Sequence, residues 1–149
     1  MKVIFSVLKS SVDDDLISYV VSYVIDNYST DTTIAIVADK EIAALIDDAL
    51  WMEGKNSFIP HFCAINTSDY NQYKRVPVFI TDNVFVADGR DVVINITNSP
   101  INIVRHKFNS VIEVVDQNEK RLDSSRKKYM YYKKLNADVI HEKVGEYEL

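Results

Sequence analysis

The chain has 149 residues, of which 47% are hydrophobic and 26% are charged, so a single folded domain is expected and intrinsic disorder is not. Its formal net charge of -5 argues against a general nucleic-acid coat and predicts little direct DNA binding, although a local basic patch stays open. The one cysteine, Cys63, excludes an internal disulfide and fits a reducing, cytoplasmic setting. No apolar run approaches the ~20 residues of a membrane span, so no membrane insertion is expected.

The first fifty residues alternate between strand and helix patterns. The apolar runs Val3 to Leu8 and Thr33 to Val37 suit buried strands, the second because it is rich in β-branched residues. Asp13 to Asn27 carries apolar residues at helical spacing, and Asp39 stands where it can cap a second helix that runs to about Leu50. This order predicts a parallel sheet joined by right-handed crossovers.

The rest of the chain adds strand candidates and two helix candidates. Apolar or β-branched runs predict further strands at Phe62–Ile65, Val76–Ile80, Asp91–Ile96, Ser110–Val115 and Val139–Ile140, and a small edge strand at Val84–Val86. A short helix is predicted from Ile101 to Phe108. Asp116 with Glu119 resembles a capping box that opens a helix to about Leu135. Together these elements predict one α/β domain over residues 1–149, with three layers and a mostly parallel, Rossmann-like central sheet.

The sequence lacks the glycine pattern that binds phosphate. Its three glycines are Gly54, Gly89 and Gly145. The first predicted strand-to-helix turn, Lys9 to Val12, has none of them, although glycine is what lets the backbone approach a phosphate closely. We therefore expect no nucleotide-binding loop and no cofactor.

The other chemically active residues have plain structural interpretations. His61 and Cys63 stand too close in sequence for a usual zinc pair, so no metal site is expected, and Cys63 fits a small buried apolar residue. The acidic run Asp13 to Asp15 could bind a cation, but such runs more often mark a helix N-terminus, where they favour the helix dipole. An enzyme that uses this run or His61 stays open as an alternative.

Two aromatic residues stand at the end of the second predicted helix. Trp51, the only tryptophan, closes that helix, and Phe58 precedes an Ile-Pro step that ends at Pro60. Aromatic side chains on a connection form either a local core or a docking site for another protein. The residues alone leave both interpretations open.

The last predicted helix concentrates positive charge. Residues 118–134 hold seven basic residues and two acidic ones, a net charge of +5 in a chain of -5. At about 100° per residue, Leu122, Arg126, Tyr129 and Lys133 share one face. Such a cationic, aromatic and partly apolar strip suits an acidic peptide with an apolar end. A solvated helix whose tyrosines face the core and a phosphate-binding surface are the alternatives.

Several segments follow one another in the order found in a known family. The most specific are Asp47-Asp48-Ala49-Leu50-Trp51 and then Ser57-Phe58-Ile59-Pro60-His61. The supporting segments are Val76-Pro77-Val78, Asp91 to Ile96, Phe108 before Val111 to Asp116, and Arg126 to Tyr132. From Val3 to about Asp138, this arrangement resembles the chi subunit family of bacterial DNA polymerase III holoenzyme.

The resemblance implies a Rossmann-like domain without nucleotide binding and a non-catalytic adaptor of the clamp-loader complex. It implies that Trp51 and Phe58, with Pro60, bind the psi subunit. It also implies that Arg126 and Tyr129 bind the C-terminal tail of single-stranded DNA-binding protein, which is acidic and ends in an apolar dipeptide with a free carboxylate.

Two positions depart from the family pattern. Leu122 and Met130 stand where the family often has basic residues. The candidates to supply the missing charge to the tail contact are Lys127, Lys133 and Arg121. An adaptor for a DNA-repair helicase, acting through the same aromatic surface, is a further alternative to the role in the polymerase.

Overall fold

Strands and helices alternate along the chain. The structure, a computed structural model, describes residues 1–28, 32–53, 60–64, 76–87 and 89–144. The strands in these ranges are β1 (Lys2–Val7), β2 (Ile34–Val37), β3 (His61–Ala64), β4 (Val78–Thr81), β5 (Val92–Asn95), β6 (Ser110–Val115) and β7 (Asp138–Lys143). The helices there are α1 (Asp13–Asn27), α2 (Lys40–Glu53), α3 (Val84–Ala87) and α4 (Glu119–Lys134).

All seven strands of the described residues form one parallel sheet. Their order is β3-β4-β2-β5-β6-β1-β7, so β1 lies between β6 and β7 at one side of the sheet, and β3 is at the opposite edge. The prediction of a mostly parallel sheet is confirmed. Parallel strands bring their carboxyl ends to one edge, and in folds of this kind that edge carries many binding sites.

Helices cover both faces of the sheet. α1 and α2 bury apolar residues such as Leu16 and Ile46 against one face. α3, the segment 101–108 and α4 cover the other face, where Phe108 and Tyr132 are buried. Because both faces are covered, β2 and β4 have only buried residues and show no apolar–polar alternation. The prediction of a three-layer, Rossmann-like domain is confirmed.

The predicted edge strand at Val84–Val86 is wrong, because these residues belong to α3. The Asn83 side chain accepts a hydrogen bond from the Phe85 amide at 3.0 Å, and the Asn83 carbonyl accepts one from the Val86 amide at 3.1 Å. These bonds satisfy free amides at the start of a helical turn, which lets Val86 and Ala87 reach the core.

The predicted helix from Ile101 to Phe108 is also wrong, because this segment forms turns. The Ile101 amide donates to the Tyr132 hydroxyl at 2.8 Å instead of to a carbonyl of its own segment. The Asn102 side chain then accepts from the amides of Val104 and Arg105, at 3.2 and 3.1 Å. Side-chain acceptance of this kind gives the backbone an alternative to a continuous helix.

The last strand is longer than the predicted Val139–Ile140. β7 extends to Lys143 because it pairs with β1 over the whole length of β1, from Lys2 opposite Asp138 to Val7 opposite Lys143. This pairing brings the end of the described chain next to its beginning.

Candidate protein-docking sites

Asn118 fixes the start of α4. Its side-chain oxygen accepts hydrogen bonds from the amides of Lys120 and Arg121, at 3.1 and 3.3 Å. Asn118 is therefore the N-cap, and the predicted capping box of Asp116 with Glu119 is wrong. The basic helix itself is confirmed, and it ends at Lys134, close to the predicted Leu135.

Asp116 has a different role, because it binds a guanidinium. Arg121 donates to both of its carboxylate oxygens, from Nε at 2.9 Å and from Nη2 at 2.7 Å, and Nη2 also lies 2.8 Å from Asp13. The hydrogen bond to Asp116 raises the pKa of the guanidinium further. The two carboxylates thus tie the first turn of α4 to β6 and to α1, and Arg121 is occupied by this contact.

A buried ion pair holds the middle of α4 on the sheet. Glu113 is fully buried, and its carboxylate accepts from Lys128 Nζ at 2.9 Å, from the Tyr132 hydroxyl at 2.6 Å and from Asn95 Nδ2 at 2.8 Å. Lys128 Nζ also donates to the Thr97 carbonyl. Burial raises the pKa of the Glu113 carboxyl, and the charge of Lys128 with the three hydrogen bonds opposes that rise. Lys128 is therefore a structural residue that adds no charge to the surface.

An apolar groove lies between α4 and the β1–β7 side of the sheet, with a volume of about 400 Å³. We call it the α4 groove. Its lining residues are Phe5, Val7, Val115, Leu122, Ser125, Arg126, Tyr129, Met130 and His141. Aromatic rings form one wall. The ring of His141 stacks on that of Phe5 with the ring centroids 5.2 Å apart, and the centroids of Tyr129 and His141 are also 5.2 Å apart. The groove is thus a mostly apolar cavity with one guanidinium.

The α4 groove contains two of the four predicted tail-binding residues. Arg126 is exposed at its rim and Tyr129 is half-buried in its wall. Lys127 and Lys133 do not line it, and Lys127 lies 3.5 Å from Asp123 in an exposed ion pair. Leu122 and Met130 also line the groove and add apolar surface to it.

Sequence reasoning missed the strand residues of this groove. Phe5 and Val7, two residues apart on β1, point to the same face of the sheet as His141, which pairs with Phe5 from β7. The alternation of side chains along each strand could be predicted from the sequence. The pairing of β1 with β7, which makes Phe5 and His141 neighbours, could not be predicted.

A second exposed apolar surface lies on α2. Trp51 is 52% exposed and Met52 is 67% exposed, and Leu45 is also exposed one and a half to two turns earlier. We call these three side chains the α2 surface. Trp51 is therefore not a core residue. The half-buried Pro60 comes directly before β3, whereas Phe58 lies outside the described residues.

The ring of a histidine on β3 packs against Trp51. The ring of His61 lies 4.6 Å from the Trp51 ring, and its Nε2 lies 3.1 Å from an Asp47 carboxylate oxygen. His61 thus orients the tryptophan.

Cys63 lies two residues further along β3. Burial, with the nearby charge of Asp47, raises the pKa of the Cys63 thiol to about 11. Cys63 therefore stays a protonated thiol at neutral pH.

The residues of the enzyme alternative do not converge on a cleft. Asp13 is held by Arg121, and the exposed Asp14 and Asp15 share the first turn of α1 with it. Asp39 and Asp82 border an open concavity at the carboxyl ends of β2 and β4, together with Lys40, but this concavity contains neither the acidic run nor His61. In the part of the chain that the structure describes, no three His, Cys, Asp or Glu residues come together as metal ligands.

The family is decided by comparison of sequences. The sequence pattern of the family described as DNA polymerase III chi subunit, HolC, matches residues 1–139. The chain belongs to the chi family. This confirms the family resemblance, and it makes the chain an accessory subunit of DNA polymerase III. A comparison with individually curated proteins gives no match.

Solved structures with the fold of this chi-family chain include helicase domains. The C-terminal domain of the DEAD-box protein Dbp5 has a TM-score of 0.67 at 14% identity, over 98% of this chain and 93% of that one. The S. cerevisiae Dbp5 C-terminal domain bound to Gle1 and IP6 has a TM-score of 0.62 at 15% identity, over 96% and 91%. Domain 2 of the Mss116p DEAD-box helicase bound to an RNA duplex has a TM-score of 0.61 at 12% identity, over 95% and 63%. At such identities the similarity shows the fold alone.

The helices of this chi-family chain give no sign of membrane insertion. None of those described is both long enough and apolar enough to span a bilayer.

Proposed function

We propose that this chi-family chain is a non-catalytic adaptor of the clamp loader that binds two proteins. The psi subunit binds the α2 surface, and the acidic C-terminal tail of single-stranded DNA-binding protein binds in the α4 groove. Through these contacts the chain holds the clamp loader at coated lagging-strand DNA.

The observation that carries the tail contact is the composition of the α4 groove. Arg126, exposed at the rim, offers the planar donors that suit a carboxylate, including the one at a chain terminus. The apolar interior, with the ring of Tyr129, suits an aromatic side chain next to that carboxylate. The volume of about 400 Å³ falls within the range of sites that enclose small ligands, so it is large enough for an apolar dipeptide.

The exposed Trp51 supports the psi contact. Tryptophan residues that anchor protein interfaces are large, exposed before binding and held in place by neighbours. Trp51 meets these conditions, because it is half-exposed and lies against His61, with the exposed Met52 beside it. Its surface is on the opposite face of the sheet from the α4 groove, so the two partners do not compete for space.

Titration with a tail peptide tests the first contact. The probe is a synthetic acidic peptide that ends in an apolar residue and a phenylalanine with a free carboxylate. Arg126→Ala should weaken its binding about ten- to a hundredfold, because a charge-assisted hydrogen-bonded contact contributes ~1.5–3 kcal/mol. Lys120→Ala, on the exposed first turn of α4, should not. Equal affinities of wild type and Arg126→Ala would overturn the assignment.

Capture of a psi subunit tests the second contact. Trp51→Ala should weaken capture and leave the peptide titration unchanged. Phe85→Ala removes an aromatic residue of similar exposure, 53%, from the other face and serves as the control. Loss of capture in both variants would contradict the proposal, and so would full capture by Trp51→Ala.

A further inference from the structure

A second concavity lies next to the α4 groove at the carboxyl edge of the sheet. This neighbour has a volume of about 380 Å³ and is lined by Val7, Leu8, Lys9, Gln117, Lys143 and Val144. Val7 lines both concavities. The first is mostly apolar, whereas the second carries two lysines, so the surface changes from apolar to cationic across Val7.

The strand register explains why a lysine stands there. Side chains alternate along β7, so Lys143 points to the same face as His141, which stacks on Phe5 inside the α4 groove. Lys143 pairs with Val7 just as His141 pairs with Phe5. Glu142, between them, points to the α1 face, where its charge adds to the effect of burial in raising the pKa of Tyr19. The Cα atoms of Lys143 and His141 therefore lie about 7 Å apart along the strand.

Helix α4 gives the groove little charge of its own. Arg121 is held by Asp116 and Asp13, Lys128 is buried with Glu113, and only Arg126 among the basic residues of α4 lines the groove. The guanidinium of Arg126 can bind one carboxylate. An acidic peptide has several carboxylates, so those that precede its apolar end need other cationic partners.

Lys9 and Lys143 are the cations placed to meet them. Both are exposed, and among the residues that the structure describes neither has a carboxylate within ion-pair distance. Lys133, which the family resemblance made a candidate, stands one turn beyond Tyr129 toward the opposite edge of the sheet and does not line either concavity.

We infer that Lys9 and Lys143 bind the acidic residues that precede the apolar end of the peptide, which therefore crosses Val7 toward the carboxyl edge of the sheet. This inference rests on the proposed tail contact and adds its direction. It assigns to the ends of β1 and β7 the charge that Leu122 and Met130 do not supply.

Two charge variants test whether the peptide leaves the α4 groove toward the carboxyl edge of the sheet, at Lys9 and Lys143, or toward the C-terminal end of α4, at Lys133 and Lys134. The double variant Lys9→Gln/Lys143→Gln should bind the acidic peptide about three- to tenfold more weakly, the effect of losing two exposed ion pairs, and its affinity should depend less on salt. Lys133→Gln/Lys134→Gln removes the same charge at the other end of α4 and should have a smaller effect. The reverse ranking would overturn the inference.

A second peptide isolates the ion pairs from any general change in charge. In it the acidic residues are replaced by serine, while the apolar end and the free carboxylate stay. Wild type should bind this peptide more weakly than the acidic one, and Lys9→Gln/Lys143→Gln should bind both peptides equally. A loss of affinity that is the same for both peptides would contradict the inference.

Failure of the tail contact itself looks different. If the acidic peptide binds wild type and Arg126→Ala equally, the proposed function fails. If Arg126→Ala weakens binding but the lysine variant does not, the proposed function stands and the inferred direction is wrong.

Discussion

Removing either partner of the buried ion pair of Glu113 and Lys128 should destabilise the fold in ways that pH distinguishes. In Lys128→Met the carboxyl of Glu113 loses its counter-charge, but it can take up a proton and keep the hydrogen bonds from Tyr132 and Asn95. Burial already raises its pKa, and the loss of the Lys128 charge removes the largest effect that opposes this rise, so the variant favours the protonated form more than wild type does. In Glu113→Gln the ammonium of Lys128 stays buried without a countercharge.

The magnitude follows from linkage. In Lys128→Met, the pKa of the Glu113 carboxyl is higher in the folded chain than in the unfolded chain, where it has its ordinary value of about 4.3. Between these two pKa values, the folded chain holds a proton that the unfolded chain has released. The variant Lys128→Met should therefore be close to wild type in stability below about pH 4.3. It should lose stability as the pH rises above that, by about 1.4 kcal/mol per pH unit for as long as the folded carboxyl keeps its proton.

Glu113→Gln should be destabilised by about 3–5 kcal/mol at pH 7, the usual cost of breaking a buried pair. A glutamine supplies one acceptor where Lys128, Tyr132 and Asn95 all donate, so one of these donors also faces an amide N–H. Acid should not relieve this loss, because the ammonium stays charged. The double variant Glu113→Gln/Lys128→Met should recover most of the stability, since it leaves no buried charge.

Urea denaturation of wild type and the three variants at pH 4.3 and pH 7.0 measures these differences, each taken against wild type at the same pH. Should Lys128→Met lose the same stability at both values, the carboxyl of Glu113 would not be the group that titrates. Should the double variant be less stable than both single variants, the two side chains would not act as a pair.

Two further predictions concern the start of α4. Asn118→Ala should cost about 1 kcal/mol in urea denaturation, the usual cost of a lost N-cap, whereas Lys120→Ala in the same turn should cost almost nothing; equal losses would contradict the capping role. Arg121→Ala should cost about 2 kcal/mol, because Asp116 is 1% exposed and loses the two hydrogen bonds that Arg121 donates. Lys127→Ala, whose ion pair is exposed, should cost less than about 0.5 kcal/mol. If Lys127→Ala proved the more costly, burial would not be what sets the strength of these pairs.

The fold was predictable because its signals are local. Apolar runs without alternation predict strands covered on both faces, and α1 and α2 follow from helical spacing with no reference to the rest of the chain. The two wrong elements, at Val84–Val86 and Ile101–Phe108, fail for one shared reason. In each an asparagine side chain, Asn83 or Asn102, bonds to amides two or three residues later and sets the local turn.

The candidate site was predictable only in part, because it depends on pairs that are distant in sequence. Counting all seven basic residues of α4 as surface charge overstated its positive potential, since Lys128 is buried. A signal for this was present in β6, where Glu113 interrupts an otherwise apolar run. A carboxylate in an inner strand needs a buried partner, and a basic residue of α4 was the natural candidate. Which one it is depends on how the helix is rotated over the sheet.

The positions of the two surfaces favour a rigid adaptor. α2 packs near β3 and β4, and α4 packs on β6 and β7, so four or five strand spacings of about 4.8 Å, roughly 20–24 Å, separate their axes in the plane of the sheet. The helices also lie on opposite faces, with the whole sheet between them. A partner bound at Trp51 can therefore affect Arg126 only through the packed core. The network of Glu113 and Lys128 ties α4 to that core. If the proposed contacts form, we therefore expect the chain to join its partners by holding both surfaces in place, without either contact changing the other.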